Sequence, residues 1–181
     1  MKLNSLEYLE YQGVNVMLAQ DYYPEGHQGG VSVIQNGLRV ATNGDIRLEP
    51  TPGQWQPIPK VGKRSVDKAK QQISVQLQFP NEDIDRKGFN PVIYPDLKFS
   101  YTLRVEPAGK GFKIIVDLDK PIPDEWIGKV GFNFELFPGI LFGKSWYLDN
   151  QFGIFPRQEN GPDYKDADGE IQIEPMSKGR K

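Results

Sequence analysis

The chain carries one histidine, His27, within Glu25-Gly26-His27-Gln28-Gly29-Gly30. A catalytic histidine needs a nucleophile to deprotonate or a metal to bind. No serine or cysteine beside His27 has the setting of an activated nucleophile, so it reads as a structural or interface residue. The glycines around it suggest a tight backbone path entering a strand at Val31. They do not form a phosphate loop, because no Gly-Lys-Ser/Thr and no helix follow. With one histidine and no cysteine, thiolate sites and most zinc sites are excluded, and no metal ligand set or cofactor is expected.

Carboxylates are plentiful but unpaired by spacing. Glycoside cleavage needs two acids about 5–9.5 Å apart, and no pair stands out. Asp124 and Glu125 follow Pro123 and suit the start of a short helix. Asp117 and Asp119 flank Leu118 and suit a solvated strand edge. Asp166, Asp168 and Gly169 match positions three, five and six of a calcium loop. Tyr164 and Pro175 stand where its first and last ligands belong, so an Asp-Gly turn into a strand over Glu170 to Glu174 is expected instead. No catalytic residue emerges. The aromatics are more suggestive. Trp55 lies in a proline-rich stretch and Trp146-Tyr147 in a second long irregular segment, with Phe152 and Phe155 nearby; Tyr22, Tyr23 and Tyr94 are assigned to other loops. Aromatic faces in loops stack on sugar rings or anchor one domain on another. Trp55, Trp146, Tyr147, Tyr94 and His27 are therefore the candidate contacts to carbohydrate or a neighbouring domain.

The elements that must position these residues are strands. Glycine (19) and proline (15) make up about a fifth of the 181 residues, against an average near 12%. That excess disfavours a helical bundle and favours short segments joined by turns. Period-2 alternation predicts strands at Ile73 to Phe79, Leu97 to Val105, Phe112 to Leu118 and Phe132 to Leu136. Pro107 to Gly111 joins the middle two. Asn36-Gly37 predicts a tight hairpin between Val31–Gln35 and Leu38–Ala41, and Asn43-Gly44 a second turn leading into Asp45 to Glu49. Ser65 to Gln72 is read as two helical turns at most, and Pro123 to Gly128 as one. Pro50 to Arg64 and Gly139 to Gly169 lack periodicity. The expected fold is an all-β antiparallel sandwich with long Pro/Gly/aromatic-rich loops and at most one or two short helical turns, as one domain over residues 1–181. The 22 basic and 24 acidic residues nearly cancel, leaving a net charge of −2. Nucleic acid is not an expected partner. The most apolar stretch, Val130 to Phe142, is interrupted by Asn133, Glu135 and Pro138, so no membrane-spanning helix is expected. Met1 to Glu10 has no signal-peptide pattern.

Several phrases are distinctive in combination: residues 21–30, Asn43-Gly44-Asp45-Ile46-Arg47-Leu48-Glu49-Pro50-Thr51-Pro52-Gly53-Gln54-Trp55, Gly88-Phe89-Asn90-Pro91-Val92-Ile93-Tyr94-Pro95-Asp96-Leu97, Gly131 to Gly139, Gly143-Lys144-Ser145-Trp146 and Gly153-Ile154-Phe155-Pro156-Arg157. Together, from about Leu9 to Lys181, they resemble the N-terminal β-sandwich region of large multidomain glycoside hydrolases of Bacteroidetes-type bacteria, which resemble glycoside hydrolase family 9. The resemblance implies a sandwich followed by an Ig-like module and an (α/α)6 catalytic barrel. The catalytic acid and base belong to that barrel, so none transfers to this sequence. It implies export to the periplasm or beyond, and chain continuing past Lys181 into another strand. The expectation is an incomplete domain of a longer enzyme.

Three functions then compete. The first is a noncatalytic accessory domain packing on the Ig-like and catalytic modules of its own polypeptide. The second is an autonomous carbohydrate-binding module with Trp55, Trp146 and Tyr147 as its platform and polysaccharide as its ligand. The third, a stand-alone hydrolase, lacks a catalytic constellation.

Overall fold

The computed structural model describes residues 1–23, 26–48, 58–79, 81, 96–155, 163–165, 168 and 171–173. Its strands are β1 (Lys2–Leu3), β2 (Leu9–Tyr11), β3 (Val14–Tyr23), β4 (Gly26–Gln35), β5 (Leu38–Leu48), β6 (Lys60–Asp67), β7 (Gln72–Phe79), β8 (Phe99–Ala108), β9 (Gly111–Leu118), β10 (Val130–Leu136), β11 (Ser145–Leu148), β12 (Gln151–Ile154), β13 (Asp163–Lys165) and β14 (Ile171–Ile173). A 3-10 turn at Asp124–Trp126 and a single α-turn, α1 (Pro138–Leu141), are the helical pieces among the described residues.

The fold is all-β, mostly antiparallel and sandwich-like. Two compact units divide the chain, Met1–Glu135 and Leu136–Lys181. In the first, a six-stranded sheet of order β1-β2-β3-β4-β5-β10 lies with a four-stranded meander β6-β7-β8-β9. The alternating residues of both sheets meet in one core: Leu9, Val16, Leu18, Val31, Ile46 and Leu48 from the first, Ile73, Val75, Leu77, Phe79, Phe99, Tyr101, Leu103 and Val105 from the second. Apolar side chains every second residue put the whole set on one face and the polar partners on the other. Phe79 and Phe99 are directly paired across β7 and β8 and stack at 5.6 Å, with Tyr101 5.7 Å beyond.

The expected strands at 73–79, 112–118 and 132–136 form, and the one expected over 97–105 runs from Phe99 to Ala108. Asn36-Gly37 makes the predicted turn, with φ of 50° and 80°. The loop expected at Pro107 to Gly111 narrows to Gly109-Lys110. The short turn after Pro123 also forms, and closes at Gly128 with φ 79°.

Other expectations are corrected. Asn43-Gly44 is not a turn: β5 runs through it, and the register with β4 shifts between Val31↔Gly44 and Val33↔Ala41. Asn43 takes φ 52° inside this bulge, and its amide donates to Glu135 Oε2 at 2.8 Å, tying in β10. An Asn-Gly pair suits a bulge as well as a turn, because both need a positive φ. Ser65 to Gln72 is the end of β6 and a turn, not a helix. The segment has no apolar stripe, and Asp67 Oδ1 instead accepts from the Ala69 and Lys70 amides at 3.0 Å, an Asx-type turn. β6 also occupies the end of a stretch expected to be irregular. Strand β4 starts at Gly26 rather than Val31 and pairs with β3 through Tyr23↔Gly26. Tyr22 and Tyr23 are therefore on a strand, not in a loop. Strands β1 to β3 were not expected, since Met17 and Ala19 blur the alternation of Val14, Val16 and Leu18.

Candidate functional site

Of the candidate contacts, Trp146 and Tyr147 are the ones whose side chains are described. Trp55 and Tyr94 lie outside the described residues. His27 is on β4 with its backbone opposite Tyr22, while its side chain is outside the described set. Trp146 and Tyr147 sit on strand β11, not in a loop. Being consecutive in a strand, they face opposite sides, so the expected shared platform is split. Trp146 is half-buried across Gly153, its cross-strand partner; a Cβ on Gly153 would stand 2.7 Å from Trp146 Cζ2. Glycine is required there because the indole occupies the side-chain space.

Tyr147 faces the other way and pairs with Phe152. The turn between them, Asp149-Asn150, has φ of 46° and 63°, and Tyr147 donates its hydroxyl to Asn150 Oδ1 at 2.8 Å. The two rings are 70% and 83% exposed, and Ile154 on the same face is 65% exposed. Leu148, on the Trp146 face, is also open. A ten-residue hairpin thus presents large apolar groups on both faces. Sequence reading identified these aromatics but not their pairing.

The first unit holds a polar cluster that sequence reading missed. Asp45 on β5 is 6% exposed. Its Oδ1 accepts from Tyr101 Oη at 2.8 Å and from the Ile46 amide at 2.7 Å. Its Oδ2 accepts from Gln20 Nε2 at 3.2 Å. Tyr101 comes from the opposite sheet, so the carboxyl links the two layers. Burial pushes the Asp45 carboxyl above its ordinary value, and the bonds from Tyr101, Ile46 and Gln20 oppose that rise only in part. Gln20 Oε1 is buried without a partner among the described residues. The available signal was Tyr101: a tyrosine in a core-facing register needs a partner for its hydroxyl. Joining Asp45 of β5 to Tyr101 of β8, the cluster is an inter-sheet tie.

The sign of its pH dependence follows from the raised value. A carboxyl with a folded pKa above its unfolded 3.8 favours folding fully below that value. The contribution is lost as pH rises through the folded pKa. Urea unfolding of the wild type and Asp45→Asn from about pH 3 to pH 7 should show the wild type losing ground to the variant as pH rises. A wild-type advantage that grows with pH would contradict the protonation argument.

The four-stranded sheet carries a shallow cleft of about 420 Å³ lined by segments of all four strands, with polar residues such as Gln76 and Thr102 beside the apolar Val61 and Leu118. Among the described residues no group of three or more His, Asp or Glu could hold a metal ion, and no helix is long and apolar enough to cross a membrane. No protein family, curated protein or solved structure matches the chain.

Proposed function

We propose that this chain is a noncatalytic accessory β-sandwich of a multidomain, polysaccharide-degrading glycoside hydrolase. It packs against the Ig-like and catalytic modules of the same polypeptide, in an exported enzyme. The sequence phrases resembling such N-terminal regions suggest the setting. The observation that carries the docking role is the apolar hairpin β11–β12. On one face of it, Tyr147, Phe152 and Ile154 are all at least 65% exposed. Scattered apolar residues on a surface need no explanation, but a contiguous group rich in aromatics is the composition of a contact surface.

The alternative, an autonomous carbohydrate-binding module, draws on the same hairpin, with Tyr147 and Phe152 rather than Trp146 and Tyr147 as the stacking surface. Two measurements separate the readings. Purified chain should release no reducing sugar from cellulose, xylan or mixed-linkage glucan. Wild type and Tyr147→Ala/Phe152→Ala should be retained equally on those insoluble glycans, while the variant binds far less of a polarity-sensitive dye. Sugar release abolished by one Asp or Glu substitution would make the chain an enzyme. Glycan retention lost in the double variant would make it a binding module.

A further inference from the structure

We propose that this chain self-associates through β9, whose free edge pairs antiparallel with β9 of a second copy across a two-fold axis at Ile115. The orientation of that edge follows from the register with β8. Ala108 pairs with Gly111 across a two-residue turn, and the ladder runs without a shift to Tyr101↔Leu118. One step further, the Asp119 amide donates to Ser100 O at 2.9 Å. Hydrogen-bonded pairs recur at every second position of an antiparallel ladder. The odd-numbered residues of β9 therefore bond to β8, and Phe112, Ile114, Val116 and Leu118 turn their N–H and C=O groups outward. β9 is the last strand of its sheet, and no loop or turn hydrogen bond among the described residues reaches those four.

Folds commonly blunt such edges by shortness, bulges or charge. Here β1 is two residues long. β6 is broken by the shift between Val61 and Arg64 and carries Lys60, Lys63 and Arg64. β10 has one charge, Glu135, already engaged by Asn43 and Arg47, and so no charge pair to set a register. β9 is different: eight residues, regular and without proline. Its two charges, Lys113 and Asp117, have opposite signs and stand symmetrically about Ile115 on the face away from the core. A two-fold axis at Ile115 therefore sets Lys113 opposite Asp117 of the second copy twice over, and Ile115 opposite itself. On the core side Ile114 then meets Val116, and Phe112 meets Leu118. Phe112, Ile114 and Val116 are half-buried against the core and Leu118 is 42% exposed, so pairing covers apolar surface as well as main chain. A slip of one hydrogen-bonded pair in either direction sets Ile115 opposite Lys113 or Asp117, so one register is selected. Asp117 Oδ2 already accepts from Arg104 Nε at 2.7 Å, which leaves Oδ1 for the lysine. With Glu106 directly opposite Lys113 on β8, charges alternate across the junction as Glu106, Lys113, Asp117 and Arg104. Such an isologous contact is satisfied by two copies and does not propagate.

The contact belongs to the first unit and rests on neither the hairpin nor the accessory-domain reading. The test is sedimentation equilibrium of the whole chain from about 1 µM to about 500 µM, a range that reaches weak dimers. The wild type should pass from monomer to dimer. Lys113→Asp and Asp117→Lys each set like charges opposite one another twice. Both positions are exposed, so each variant should keep the wild-type circular dichroism, and each alone should weaken self-association at least about tenfold. Mixed in equal amounts, the two variants again oppose unlike charges, and association should return to within about threefold of wild type. Tyr147→Ala/Phe152→Ala should leave the dimer unchanged. A wild type that stays monomeric at about 500 µM would overturn the proposal, whether or not the edge accepts an extended peptide from another protein. So would a dimer that both charge variants keep, a dimer lost only in Tyr147→Ala/Phe152→Ala, or a mixture of the charge variants that fails to associate.

Discussion

Phe99→Ala is expected to cost the chain about 3–5 kcal/mol of stability. Phe99 is buried, lies on a central strand of the four-stranded sheet, and has aromatic neighbours on both sides, Phe79 and Tyr101. Truncating it removes the transfer free energy of the ring and leaves a void that neighbours on the flanking strands cannot collapse to fill. The loss of the stacked pair adds to this. Urea unfolding followed by tyrosine and tryptophan fluorescence should show a lowered midpoint with little change in slope. Phe99→Leu, which keeps most of the volume, should lie between the two. A cost below about 1 kcal/mol for Phe99→Ala, the range of ordinary surface substitutions, would mean that Phe99 does not fill the core between the sheets.

Gly30→Ala should be comparably damaging for a different reason. Gly30 has φ +80°, and a Cβ there would stand 2.3 Å from the Gly44 carbonyl oxygen and 2.9 Å from Asp45 Cβ. The left-handed backbone alone costs a non-glycine residue about 1 kcal/mol or more. The contact with rigid backbone must then push β4 away from the bulge in β5 and disturb Asp45 beside it. Gly109→Ala is the matched control. It also has a positive φ, of +62°, but faces open space, so it should show the conformational cost alone. Thermal unfolding of the two variants should place Gly30→Ala several degrees below Gly109→Ala, since each kcal/mol shifts Tm by about 2–4 °C in a domain of this size. Equal melting temperatures would remove the close approach of the two strands.

How much of this was legible in the sequence depends on whether a feature is local or paired. The alternations at 73–79, 97–105 and 112–118 were clear because half-buried strands write their own face, residue by residue. Asn36-Gly37 and Asn43-Gly44 are the same dipeptide with different outcomes. The first lies between the directly paired Gln35 and Leu38 and closes a hairpin. The second lies where Val31 of β4 pairs with Gly44, so the strand continues and the positive φ is absorbed as a bulge. Nothing within a few residues of Asn43 encodes that difference. Trp146 and Tyr147 were visible as candidates, yet their separation onto two faces required knowing that the segment is extended. The Asp45–Tyr101 tie joins positions far apart in sequence, and the outward amides of β9 depend on its pairing with β8. Both arise only once strand register is fixed.

Amide hydrogen exchange of residues 145–154 tests the docking role most directly. It would be measured on the whole chain alone and then with an added family 9 catalytic module joined to its Ig-like module. In the free chain these amides belong to a two-stranded sheet with exposed side chains, and small isolated hairpins are only marginally stable. Seating Tyr147, Phe152 and Ile154 against a partner should slow their exchange at least about tenfold, and Tyr147→Ser/Phe152→Ser should cancel that slowing. Unchanged exchange across residues 145–154 at saturating module, or slowing that survives the double substitution, would contradict the hairpin as the contact surface.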